Sequence, residues 1–250
     1  MTNITIKTVE EIQIMREGGK ILAQIMEEIK LKVKPGITTN YLNKVAEDLI
    51  FGFRAKPSFK GYQGFPTALC TSINEEIVHG APSSRVLKEG DIISLDLGIF
   101  YMGFHTDMAV TVGVEEISPE AQYLLRITKK ALKRAIKNIR EGNTTGAIGN
   151  AIQRYVEKQG FDIVRDLCGH GIGRNIHEEP QILNYGKRRA GAKLVENMVI
   201  CPEPMVVLGK GKIKQAENGF AFETVDGSLS AHFEHTVAVT KQGFEILTKI

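Results

Sequence analysis

The sequence predicts an α+β fold built from two similar halves, each a pair of helices followed by paired strands. Three observations carry that expectation. Apolar residues recur at helical spacing in two windows, and start and stop signals mark two further helices. Apolar, β-branched runs occupy the stretches that follow them. Segments of the second half also match segments of the first at a nearly constant offset, which marks an internal repeat.

The first helix opens on a capping box, Thr8 with Glu11 three residues on, and Ile12, Met15, Gly19, Leu22, Met26 and Ile29 then share one face. The Lys34-Pro35-Gly36 break should end it, because proline lacks an N–H and disfavours helix at the residue before it. A second helix begins at Thr38-Thr39, with Leu42, Val45, Ala46, Leu49 and Ile50 aligned. Residues 57–82 are irregular, with Gly61, Gly64 and Pro66 among Phe59, Tyr62 and Phe65, before a short strand near 70–73. The stretch 90–112 reads as two strands around a turn. Ser118-Pro119-Glu120 supplies an N-cap, a proline at the first helical position and an early acid; that helix should run to about Arg140. A fourth helix starts at 142–145 and stops at Gly160, and strand-like runs follow at 161–164, 198–208, 220–225, 233–240 and 245–248.

Asp96 and Asp107 are the anomaly of the 90–112 hairpin. Strands are poor in Asp, and a carboxylate among apolar neighbours costs desolvation unless something positive compensates it. With Tyr101 and Met102 at the centre of the turn the two acids pair directly and leave one face; a three-residue loop with Gly103 left-handed loosens that register. The repeat adds two more acids. Residues 35–42 match 141–148, 89–96 match 196–203, and 107–112 match 234–239, so Glu203 falls on Asp96 and Glu234 on Asp107. Four carboxylates converge if the halves meet about a pseudo-twofold axis. Chance similarity accounts for the helices and accounts poorly for four aligned acids.

Histidines complete the set. His170 stands between Gly169 and Gly171, His177 follows seven residues on, and His79 precedes Gly80. One imidazole with four carboxylates is a hard, oxygen-rich set that suits Mn(II), Fe(II), Co(II) or Zn(II) over a soft thiolate site. Two ions about 3.5–4 Å apart, sharing carboxylates and a hydroxide, balance the charge better than one.

Composition excludes several other classes. With 250 residues, 42% hydrophobic and 24% charged, the chain reads as an ordinary globular protein with neither a signal peptide nor a membrane span, so a cytoplasmic location and no membrane partner are expected. Three cysteines, Cys70, Cys168 and Cys201, suggest reduced thiols. The net charge of +3 is mild; Lys129-Lys130, Lys133-Arg134 and Lys187-Arg188-Arg189 read first as solvated faces and second as a surface for RNA, including transient contact with the ribosome.

Taken together, 169–173 through His177-Glu178, the Asp96/Asp107 pair, Glu203-Pro204-Met205 and Glu234-His235-Thr236 resemble the signature of the type I methionine aminopeptidases, over essentially the whole chain and in family order. The absence of an N-terminal zinc-binding extension or large insertion resembles the short bacterial form. The resemblance implies a pita-bread fold, two pseudo-twofold halves around a central antiparallel β-sheet backed by helices. One catalytic domain over 1–250 is expected, with repeats over 8–115 and 118–250, acting as a monomer.

The implied activity is hydrolysis of the N-terminal methionine from new polypeptides with a small second residue, by a metal-bridging hydroxide. Two divalent ions (Co, Mn, Fe or Zn) are implied, with Asp96 chelating one, His170 and Glu203 holding the other, and Asp107 and Glu234 bridging them. His79 is placed near the scissile amide and leaving group, and His177 donates to the carbonyl as it becomes an oxyanion. Glu203 is implied as general base and then general acid. Tyr62, Phe65, Cys70, Ile176 and Phe220 match the walls of the methionine pocket, although Cys70 and Ile176 would serve ordinary core packing as well.

Three departures stand out. Gly98 replaces a common hydroxyl residue, Cys201-Pro202 replaces a common Thr-Ile, and Phe220 occupies a position that is often tryptophan. Xaa-Pro aminopeptidases and prolidases share the carboxylate set but usually carry a separate N-terminal domain, for which Asp96 lies too early. A catalytically silent binding module of this fold loses ligands, whereas this chain keeps all five and both outer histidines.

Overall fold

The computed structural model describes residues 4–250. Helix α1 (Val9–Lys30) starts on the expected capping box: the Thr8 hydroxyl accepts from the Glu11 N–H while the Glu11 carboxylate accepts from the Thr8 N–H. Helix α2 (Thr39–Gly52) is capped by Thr38. Strands β1 (Lys56–Pro57), β2 (Leu69–Ile73) and β3 (Glu76–Val78) lead to the long hairpin β4 (Ile92–Tyr101) and β5 (Phe104–Gly113). Helices α3 (Pro119–Ile136) and α4 (Thr145–Lys158) open the second half, capped by Ser118 and Thr144. There follow β6 (Asp162–Ile163), β7 (Cys168–Gly171), β8 (Glu178–Leu183), β9 (Val199–Cys201), β10 (Met205–Val207), β11 (Ile213–Gln215), β12 (Phe222–Thr224), β13 (Ser230–His232), β14 (Val237–Thr240) and β15 (Gly243–Ile246).

Two helices end earlier than their apolar patterns suggest. After α1, the Lys32 and Val33 N–H groups reach back three residues, to Ile29 and Lys30; after α3, Asn138 and Ile139 do the same to Ala135 and Ile136. The last apolar turn is therefore wound tighter than an α-helix. The expected strand over 198–208 is cut in two at Pro202-Glu203-Pro204, since prolines cannot donate to a ladder.

All strand pairings are antiparallel. In the first half β4 is flanked by β1 and β2 and pairs with β5; in the second the order is β15-β14-β9-β7-β8. The helices of each half bury their apolar stripes on that half's strands. Leu22, Met26, Leu42 and Ile50 cluster with Leu69, Leu95 and Leu97, and Leu124, Ala131, Ile148 and Ile152 cluster with Ile182, Ile200 and Val237. This is the pita-bread arrangement.

A seam of hydrogen bonds joins the halves. Ala109 and Glu234 exchange backbone bonds, N–H to carbonyl, at 3.4 and 2.9 Å. On one side the Thr236 hydroxyl bonds the backbone of Asp107, and on the other the Thr111 hydroxyl bonds the backbone of His232. Because Thr111 donates to the His232 carbonyl and accepts its N–H, the remaining contact fixes Ser94 as donor to Thr111, at 2.8 Å.

The hairpin register differs from the first expectation. Met102 and Gly103 are the turn residues, both with positive φ (46° and 94°), as a type I′ turn requires. Asp96 therefore faces Ala109, and Asp107 faces Gly98, so the acids are diagonal neighbours displaced by two residues rather than a direct pair. A shift of two keeps both on the same face, which is why the site survives it.

Candidate metal centre

Each donor is set by backbone pairing. Asp96 lies in the middle of β4, opposite Cys70 on β2. Asp107 is on β5, held by Thr236, and Glu234 is on the seam itself. Glu203 sits between two prolines where the chain leaves one sheet for another. His170 lies on β7 between two close neighbours: a Cβ at Gly169 would come within 2.1 Å of the Cys201 carbonyl, and one at Gly171 within 2.3 Å of the Glu179 carbonyl. The Gly-His-Gly pattern is thus a requirement for close strand approach on both sides of the imidazole.

The structure brings Asp96, Asp107, His170, Glu203 and Glu234 to one cradle. Asp96, Asp107 and Glu234 form one group with a ligand atom each within 4.8 Å of the others, and Glu203, His232 and Glu234 form another. A third comprises His170, Cys201 and Glu234. His170 Nε2 is 3.7 Å from Glu203 Oε1 and 3.8 Å from Glu234 Oε1. Two metal–ligand bonds of about 2.1 Å reach roughly 4.2 Å between donors, so these atoms are close enough to share one ion.

The tautomer of His170 also fits. Its Nδ1 lies 2.8 Å from the Gly171 carbonyl, which only accepts, so Nδ1 carries the proton and Nε2 keeps its lone pair for the cradle.

Burial and mutual repulsion dominate the electrostatics. Burial first, then Asp107, pushes Asp96 well above the ordinary carboxylate range, and burial with Glu203 as the next cause lifts Asp107 to about 7. Burial lifts Glu203, and burial followed by Asp107 lifts Glu234. Burial with nearby carboxylates pushes the Cys70 and Cys201 thiols up as well. Asp96 Oδ1, Asp107 Oδ1 and Glu234 Oε1 are buried without hydrogen-bond partners. Crowded, unpartnered carboxylates of this kind need protons or cations, and the donor set fits divalent metal.

Above the cradle is a cavity of about 320 Å³, lined by Phe59, Tyr62, Phe65, Cys70, His79, His177, Phe220 and Phe222, with the acids and His170 at its floor. Phe65 and Phe220 meet edge to face at 5.6 Å. The His177 ring stands perpendicular to His170 at 4.5 Å, and its Nδ1 is 3.0 Å from the Tyr62 hydroxyl. Burial lowers His79 to about 4 and lowers His177, so both imidazoles are neutral at pH 7. In the bend over 173–177 His177 lines the cavity, while Ile176 is buried and is not among its lining residues. Gly98 is explained by crowding, since a Cβ there would meet Ser58 and Phe59 at 2.9 Å.

His232 is the site residue that sequence reading missed. It is 1% exposed, burial lowers it to about 3, and it reaches the Glu203/Glu234 pair from the side opposite His170. Its signal was its spacing: two residues before Glu234 in an extended segment, it shares that acid's face.

Four helices packed on antiparallel sheets in two similar halves, with carboxylates from both halves around a shared cradle, define a class of metal-dependent peptidase. Residues 13–241 match the model of metallopeptidase family M24, and the chain belongs to that family. It is 47% identical to a methionine aminopeptidase of Clostridium perfringens over 247 residues, covering 99% of each chain, and 46% identical to methionine aminopeptidase 1 of Bacillus subtilis, covering 99% of this chain and 100% of the other. The crystal structure of a methionine aminopeptidase from Thermotoga maritima superposes with a TM-score of 0.97 at 44% identity, over 99% of this chain and 100% of that one. Within family M24 the chain belongs among the methionine aminopeptidases.

Among the described residues no helix is long and apolar enough to cross a membrane. Lys129, Lys130, Lys133 and Arg134 are exposed on α3, and Arg134 lies over the Tyr155 ring at 4.4 Å.

Proposed function

We propose that this chain removes the N-terminal methionine from newly made polypeptides whose second residue is small, at a dinuclear divalent-metal centre. The single observation that carries the reading is one cavity holding an oxygen-rich cradle at its floor and an aromatic pocket above it. Asp96, Asp107, His170, Glu203 and Glu234 would hold the ions. Cobalt, manganese, iron or zinc would each suit these oxygen and imidazole donors. When bound, such ions supply Lewis acidity and a water of lowered pKa.

The protein's own groups do the rest. Glu203, buried and lifted above the usual carboxylate range, is suited to take a proton and return it to the leaving amine. His177 and His79, neutral at pH 7, each offer one N–H. If Tyr62 donates to His177 Nδ1, the His177 Nε2–H is left to bind the substrate carbonyl as negative charge develops. Tyr62, Phe65, Cys70 and Phe220 form the wall against which a thioether side chain packs. The chain is proposed to work as one domain, monomeric and cytoplasmic, with the exposed basic face of α3 meeting the ribosome transiently.

The test is turnover of Met-Ala-Ser by metal-stripped protein resupplied with Mn(II), Co(II) or Fe(II), beside an Ala-Pro peptide. Methionine release is expected only with metal. No release with any ion would overturn the reading, and preferential cleavage of Ala-Pro would replace it with an Xaa-Pro peptidase.

A further inference from the structure

His232 belongs to no role assigned so far, and its surroundings are unusual. Its backbone is fixed from both sides: Thr111 accepts its N–H at 2.9 Å and donates to its carbonyl at 2.8 Å, and β13 sets it opposite Met205, two residues after Glu203. The ring is therefore delivered to one place. There Nε2 lies 3.3 Å from Glu203 Oε2 and 3.9 Å from Glu234 Oε2. His170 faces the other oxygen of each carboxylate, so the two imidazoles flank the glutamate pair. Both His232 ring nitrogens are buried and neither is hydrogen-bonded in this structure, Nε2 approaching Glu203 Oε2 without the alignment of a hydrogen bond.

We propose that His232 is a positioning residue for Glu203: from 3.3 Å, a small rotation of the ring lets its Nε2–H donate to Glu203 Oε2 and keep Oε1 turned toward His170 and the cradle. The inference rests on Glu203 being the metal ligand and proton carrier argued above. Direct ligation by His232 is disfavoured by its second nitrogen. A ligating histidine ordinarily donates its remaining N–H to a carbonyl or carboxylate, as His170 does to Gly171. His232 has no acceptor at Nδ1, so a ligating Nε2 would strand a buried N–H, whereas a donating Nε2 strands only a lone pair. A carboxylate pinned at one oxygen presents the other at a fixed distance, which favours both metal binding and proton transfer.

The experiment compares the native chain with His232→Ala and His232→Gln, reading Co(II) affinity by calorimetry, the Co(II) absorption spectrum, and kcat and KM on Met-Ala-Ser. His232→Ala should bind Co(II) about ten-fold more weakly and lose kcat by a similar factor, with KM nearly unchanged. His232→Gln, whose amide can donate to Glu203, should recover most of both and keep the native spectrum. Native affinity in His232→Ala would overturn the proposal. So would a His232→Gln protein as impaired as His232→Ala with an altered spectrum, which would make the imidazole a ligand. Absence of Co(II) binding by the native chain would instead overturn the metal cradle itself.

Discussion

The Thr236 hydroxyl holds Asp107 by both of its backbone groups, accepting its N–H at 2.8 Å and donating to its carbonyl at 2.8 Å. A side chain of the second half thus replaces a strand neighbour for an acid of the first. All the atoms involved are buried, so no water stands ready to substitute.

Thr236→Val keeps the shape and removes both bonds. Leaving a buried N–H and carbonyl unpartnered costs about 1–3 kcal/mol, which urea unfolding would read directly. Thr236→Ser should retain most of the native stability. Equal stability of the valine variant would mean that the clamp contributes nothing.

The cradle sets a pH dependence in the metal-free chain. Asp107 is held up at about 7, and Asp96, Glu203 and Glu234 are also raised, chiefly by burial, whereas all four titrate near 4 when unfolded. Over that interval the folded state binds more protons, so stability falls as pH rises. His170 and His232, lowered to about 3, and His79 and His235, lowered to about 4, act oppositely but only below about 6.5. Between neutrality and about pH 8 the carboxylates alone remain; above that the Cys70 and Cys201 thiols, also pushed up by burial, add a loss of the same sign as their unfolded counterparts ionise. The Tm in excess EDTA should therefore drop between about pH 7 and pH 8, and saturating Mn(II) should abolish the drop, because ions bind the ionised form. A flat metal-free profile would contradict this account.

His177→Ala separates ligand from donor. His177 lies 4.5 Å from His170 across an edge-to-face contact, close enough to invite either role. Loss of an oxyanion donor predicts a fall in kcat of about 10²–10³ with metal content unchanged. Metal lost together with rate would make His177 a ligand.

Phe220→Ala opens one wall of the pocket and removes the edge-to-face partner of Phe65. Aromatic pairs of this kind contribute roughly 0.5–1.5 kcal/mol beyond burial, so kcat/KM for Met-Ala-Ser should fall about ten-fold, mostly through KM. A loss confined to kcat would point to a shifted cradle rather than a lost wall.

Much of this architecture was legible in the chain. Helix starts were visible because Thr8, Thr38, Ser118 and Thr144 cap through their own side chains, a local interaction. The four acids among the expected donors could be found because repeat matching carries acids from one half to the other, and His170 by the glycines on either side of it. What escaped was short or non-local. β7 consists of Cys-Gly-His-Gly and β8 contains a proline, so neither has strand composition; both are strands because neighbouring segments supply partners. The expected strand over 233–240 fails at its first residues because Glu234 pairs with Ala109 across the seam, and the ladder with β15 and β9 begins only at Val237. His232 lies outside the Glu234-His235-Thr236 run, two residues before Glu234, and only the side-chain alternation of an extended segment puts it on that acid's face.

The seam has a symmetry of its own. By the repeat, Asp107 corresponds to Glu234 and Ala109 to Thr236, so the pairing of Asp107 with Thr236 and that of Ala109 with Glu234 join the same two repeat positions in opposite senses, one through a side-chain hydroxyl and the other through the backbone. Such an interface is isologous, the kind a half-length chain makes with its own copy about a dyad. Each half thus brings its own pair of acids to one common axis, and His170 is the donor with no aligned counterpart in the first half.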